Sequence, residues 1–126
     1  YISVMNLVVI FIGGGLGSLC RYGIGKFIMS YDSSVLAYAT LFSNVLSTIV
    51  LALFVYFFQE KMGLNDVWKL LVVTGFCGGF STFSTYSFET FEMLRNGQTA
   101  LALANVFVSV LFCLFVLYII YKKSII

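Results

Sequence analysis

Residues 75–88 read GFCGGFSTFSTYSF, and the reading of this stretch decides the fold. It holds three glycines, five Ser or Thr hydroxyls and four Phe within one apolar run. A glycine weakens a helix by roughly 1 kcal/mol relative to alanine. Ser and Thr side chains offer the nearby backbone an alternative to helical hydrogen bonds. Together they predict a helix that breaks over residues 77–82. The chain has no proline, so glycines or polar side chains must supply any break. Non-helical backbone at membrane depth survives only where protein covers it or where it lines a water-filled cavity.

The rest of the chain supplies the membrane. Its 126 residues are 61% hydrophobic and 10% charged, with mean hydropathy +1.05. A soluble domain of this size has too little interior to hide that much apolar surface. Charge-free runs cover residues 1–20, 35–58, 70–88 and 98–121. A helix needs roughly 20 apolar residues to cross a bilayer. The expectation is a single all-α integral membrane domain over residues 1–126, with four transmembrane helices and short connectors. The third span has room to extend helically through Glu89, Glu92 and Arg95. The first run lacks a basic region ahead of it and reads as a span rather than a cleavable signal peptide. The runs are continuous rather than alternating, which disfavours a β-barrel. Cys20, Cys77 and Cys113 fall in three different runs and there is no histidine, so neither a zinc nor a haem site is expected.

Four spans put both termini and the second connector on one side, with Lys61, Lys69, Lys122 and Lys123. Arg21, Lys26 and Arg95 fall on the other. Orientation follows an asymmetry of basic residues, and four against three is almost none. Insertion in both orientations is therefore expected, unless Arg21 is buried and drops out of the count. Dual insertion permits an antiparallel dimer with a two-fold axis in the membrane plane. A four-helix chain also has little room for a polar pathway of its own, and polar faces need a partner to cover them.

Polar residues fall in stripes. Thr40, Asn44 and Ser47 share one face of the second span, and Asn105, Ser109 and Cys113 share one face of the fourth. Each stripe reads as interhelical glue or as the lining of a path; on its own Asn44 could equally bind a neighbouring helix or donate to a passing anion. Glycines 13, 14, 15, 17, 23 and 25 in the first span read as helix packing, and Arg21 as a vestibule charge or a snorkelling anchor. The five acids all lie at or near the ends of the runs, which argues against a proton-coupled cation exporter. Phe83 and Tyr86 stand one turn apart. Aromatic ring edges are electropositive and can touch an anion without trapping it; ordinary packing is the alternative.

GGGLGSLCRY, TLFSNVL, TGFCGGFSTFSTYS and ANVFVSVL occur in this order. Together they resemble the Fluc (CrcB) fluoride channels of bacteria over essentially the whole chain. The resemblance implies a dual-topology, antiparallel dimer in the bacterial inner membrane, with two pores that pass F⁻ out passively. No enzyme activity and no nucleic-acid partner are expected. It implies a structural Na⁺ at the dimer interface, held by the backbone carbonyls of Gly78 and Ser81. The two fluoride-facing rings map to Phe83 and Tyr86, and the pore asparagine and threonine to Asn44 and Thr40. Asn105, Ser109 and Cys113 map to the fourth-helix polar stripe and Arg21 to the arginine near the end of the first helix, expected at the vestibule, while Thr82 and Ser84 are also expected on the fluoride pathway.

Several positions depart from the family pattern. Tyr86 replaces a Phe, Ser47 stands where glycine is usual, and Phe112–Cys113 replaces a common Gly-Ser. The family also occurs as pairs of diverged subunits, so both homodimer and heterodimer readings stay open. A four-helix drug exporter and a non-conducting assembly protein are the competing functions.

Overall fold

The computed structural model describes residues 2–32, 36–58 and 67–125. Among these the fold is helical with no strand. α1 is Val4–Tyr31 and α2 is Leu36–Phe58. α3 starts at Val67–Lys69, widens into a π-helix over Leu70–Cys77 and tightens again over Gly78–Phe80. α4 is Phe83–Arg95 and α5 is Thr99–Ile125. Four stretches are long and apolar enough to cross a membrane: Val4–Tyr31, Tyr38–Phe58, Val67–Arg95 and Thr99–Lys123. Lys61, which enters the balance of basic residues, and the acids Glu60 and Asp66 lie outside the described residues.

The burial pattern is that of a protein dissolved in lipid. Among the described residues, glycines aside, six buried residues are apolar, mostly small, and five are polar: Thr40, Ser43, Ser47, Asn105 and Ser109. Large apolar side chains such as Phe11, Leu16 and Phe107 face outward. Lipid tails are as apolar as leucine, so helices gain little by burying leucine and associate through close backbone contact and hydrogen bonds.

α1 and α3 make the closest approach. A methyl group on Gly13 would strike the Leu71 carbonyl, on Gly17 the Phe76 carbonyl, and on Gly79 the Gly14 carbonyl. Gly75 is buried against Gly13 as well. This corrects the expectation that glycines break the third span. Gly75, Gly78 and Gly79 all remain helical, because tertiary packing of Gly75 and Gly79 outweighs their poor intrinsic propensity. Gly15, Gly23 and Gly25 have open space where a side chain would be, so they do not share the packing role within this chain.

α4 and α5 form an antiparallel hairpin. Gly97 adopts φ +79°, a left-handed value that suits glycine. The Gln98 N–H donates to Met93 O at 2.8 Å and the Gly97 N–H to Leu94 O at 3.1 Å. This pair of bonds caps the helix and reverses the chain within a few residues.

Candidate functional site

The break in the third span falls at Ser81 and Thr82, both extended, with φ/ψ of −84°/156° and −152°/121°. Its cause is a pair of diverted hydrogen bonds. In a continuous helix the Thr82 N–H would donate to the Gly78 carbonyl, four residues back. It donates instead to Asn44 Oδ1 at 2.9 Å. The Thr85 N–H would likewise serve the Ser81 carbonyl, but it donates to Thr82 Oγ1 at 3.3 Å, capping α4. Gly78 and Ser81, with Gly79 and Phe80 between them, have the carbonyls that lose their helical donors at the break. Gly78 is also exposed, with no atom near the place where its side chain would be. The exposed backbone at Gly78 fits a Na⁺ held by carbonyl oxygen rather than by side chains.

The carbonyls of Cys77 and Gly79, on either side of Gly78, are engaged. Cys77 O accepts from the Ser81 N–H at 3.0 Å, Ser81 Oγ at 2.8 Å and Ser47 Oγ at 3.0 Å. Gly79 O accepts from Arg21 Nε at 3.2 Å and Ser18 Oγ at 3.5 Å. Arg21 therefore does not close α1 at a membrane interface. The helix runs on to Tyr31, and the guanidinium clamps the end of α3.

The α2 stripe grips the third span at three levels. Ser47 holds Cys77 before the break, and Asn44 holds Thr82 within it. Thr40 Oγ1 donates to Glu89 Oε1 at 2.7 Å beyond it. Asn44 also donates from Nδ2 to Thr82 O at 3.4 Å, which uses one of the two amide hydrogens.

Two cavities flank the break. The first, about 280 Å³, is lined by Asn44, Ser81, Thr82, Phe83, Tyr86, Ser109, Val110 and Cys113. It holds six of the expected pathway residues and no charged group. The α4 N-terminus opens beside it, and a helix N-terminus carries partial positive charge. Phe83 and Tyr86 stand with ring centroids 6.1 Å apart and planes tilted by 38°. Phe83 is 80% exposed, whereas the Tyr86 hydroxyl is buried. The second cavity, about 310 Å³, has walls that include Ser18, Arg21, Lys26, Thr40, Ser43 and Glu89.

Two expected pathway residues lie elsewhere. Asn105 is buried between α4 and α5, donating from Nδ2 to Thr90 Oγ1 at 3.2 Å. Thr90 Oγ1 in turn donates to Tyr86 O at 2.8 Å. Asn105 thus ties the Tyr86 turn to α5 rather than lining the cleft. Ser84 is exposed, 3.4 Å from Thr82 Oγ1, because the helical turn carries it away from the face of Tyr86.

The sequence reading missed Glu89 and Ser43. Glu89 had been placed at the end of a charge-free run, but the helix continues to Arg95 and the carboxylate is half-buried against Thr40. Glu89 thus lies inside the Val67–Arg95 stretch rather than at its end. Spacing held the signal: Thr82, Tyr86 and Glu89 fall at i, i+4 and i+7, on one face.

The family model described as CrcB-like protein, Camphor Resistance (CrcB), matches residues 8–121. The chain belongs to the CrcB family. Among its CrcB relatives, one from Pyrococcus abyssi is 40% identical over 110 residues, covering 85% of this chain and 88% of the relative. One from Sulfurihydrogenibium sp. is 35% identical over 99 residues, covering 79% and 80%. One from Escherichia coli is 36% identical over 105 residues, covering 83% and 82%. All three carry the name fluoride-specific ion channel FluC.

Proposed function

We propose that this CrcB chain is a fluoride channel, not an enzyme, which passes F⁻ passively out of bacteria across the inner membrane. One observation carries the reading: the uncharged cleft at the helix break combines a helix N-terminus, an amide and several hydroxyls. Such groups donate hydrogen bonds to a small anion and, lacking a fixed positive charge, let it leave. The names of the relatives support the same ion.

The conducting unit would be an antiparallel dimer with two pores. In its favour, Phe83 is 80% exposed and Gly78 lies open beside the broken backbone. Backbone of that kind in lipid needs a covering subunit. Na⁺ between the copies would be held by the Gly78 and Ser81 carbonyls, and it would supply positive charge to neutralise carbonyl oxygens brought together there. Its replacement by N-methyl-D-glucamine is expected to lower the unfolding temperature.

The second reading is one subunit of a heterodimeric channel, favoured by Tyr86 at a ring position. The deciding test is efflux from liposomes that contain only this chain. Loss of F⁻ but not Cl⁻ supports a homodimer. Silence relieved by a second homologous subunit supports the heterodimer, and silence in both settings removes the channel reading.

A further inference from the structure

Among the described residues, two buried hydroxyls that lack a partner lie on the same cleft. Tyr86 OH and Ser109 Oγ are both shielded from solvent and make no hydrogen bond. Both residues line the cavity at the break. Ser109 is 7% exposed, so its side chain points into the fold rather than into lipid. Buried polar groups nearly always have partners, and an exception calls for a missing one.

The helical alternative is open to Ser109 and is not taken. Thr48, Thr90 and Ser81 each return their hydroxyl to the carbonyl four residues back. Ser109 does not. The hairpin register explains why Tyr86 and Ser109 reach the same cavity. Thr90 on α4 is bonded to Asn105 on α5. One turn back along α4 is Tyr86 and one turn on along α5 is Ser109, and in an antiparallel pair these moves go the same way.

Resting on the channel reading, we infer that Tyr86 OH and Ser109 Oγ form a two-hydroxyl fluoride subsite, in which Tyr86 sets affinity and throughput. Each O–H donates one hydrogen bond to the ion, and the Asn44 amide and the α4 N-terminus flank it. Fluoride is a compact, strong acceptor, so two convergent O–H donors favour it over chloride. A ring edge alone would hold the ion less tightly. The hydroxyl therefore lengthens its stay, lowering the half-saturating concentration and the maximal rate.

The test compares wild type, Tyr86→Phe, Ser109→Ala and the double variant in proteoliposomes, with efflux followed by a fluoride electrode across fluoride concentrations. Each single variant should raise the half-saturating concentration about tenfold, the effect of one charge-assisted hydrogen bond, and Tyr86→Phe should raise the maximal rate. The double variant should shift little beyond either single one, since both hydroxyls serve one ion. An unchanged half-saturation in Tyr86→Phe, or fully additive shifts, overturns the subsite. A parallel arm reads binding without conduction, through ¹⁹F line broadening of fluoride added to purified protein in detergent. Broadening in wild type that is lost in both single variants supports the subsite. Equal broadening in all, or none in wild type, overturns it, the latter meaning that the hydroxyls hold water. A wild type that stays silent in liposomes with and without a second homologous subunit, yet broadens fluoride in detergent, would sink the channel reading alone.

Discussion

Asn44 grips Thr82 at both of its backbone polar groups. Oδ1 accepts from the Thr82 N–H at 2.9 Å, and Nδ2 donates to the Thr82 carbonyl at 3.4 Å. One side chain thus does for a single residue what a helix would have done through two neighbours. Asn44→Ala leaves that N–H without an acceptor, at a cost of about 1–3 kcal/mol. Asn44→Asp keeps the acceptor but sets a negative charge beside the cleft. Thermal unfolding should report the larger loss for alanine, whereas fluoride efflux should fall at least roughly tenfold for aspartate, whose charge opposes an anion in low dielectric. Undiminished efflux in Asn44→Asp would contradict an anion path at this cleft.

Gly17 and Gly15 are two residues apart on α1 and should behave oppositely. A methyl at Gly17 meets the Phe76 carbonyl and lies 2.7 Å from the Phe80 nitrogen, both rigid backbone. Gly17→Ala should destabilise by about 1–3 kcal/mol, the usual range for overpacking. Gly15 has nothing within 4 Å. Gly15→Ala should stabilise the chain by up to about 1 kcal/mol through helix propensity. Denaturation of both variants in detergent checks the contrast. A loss at Gly15 comparable to that at Gly17 would mean that another subunit packs there.

Arg21→Lys separates charge from clamping. Lysine keeps the positive charge but cannot present a donor where Nε meets Gly79 O. The expected outcome is a loss of about 1 kcal/mol in stability and a several-fold fall in efflux. Full efflux in this variant would show that the charge alone suffices.

Phe83→Ile removes an aromatic edge at a side chain that is 80% exposed. Fluoride efflux should drop by at least roughly tenfold, since isoleucine offers no electropositive edge. The unfolding temperature of the isolated chain should hardly move. Efflux at the wild-type rate would rule out the ring-edge contact.

The helical membrane class was legible because it depends on composition and run length alone: four apolar runs predict four spans, and four are found. A break within residues 77–82 was legible too, but its mechanism was not. Gly75 and Gly79 looked like breakers and act as packing surfaces, because their fate depends on α1, over fifty residues away. The cleft was half legible. Asn44, Thr82, Phe83, Tyr86, Ser109 and Cys113 came together, while Thr40 lines the second cavity and Asn105 and Ser84 turned elsewhere.

The sequence by itself determined that this is a four-span membrane protein of the CrcB type, with an interrupted third span and hydroxyl-rich faces. These properties are local or additive along the chain: apolar run length, hydroxyl spacing and the absence of proline. Only the tertiary structure decided which donor each backbone carbonyl at the break receives. It left Gly78 and Ser81 without their helical donors, occupied Cys77 and Gly79 with serines and an arginine, and buried two hydroxyls of α4 and α5 at one cleft. The physical reason is that a hydrogen bond is decided by competition. The winning partner of the Thr82 N–H sits on α2, where no periodicity in α3 or α4 could reveal it.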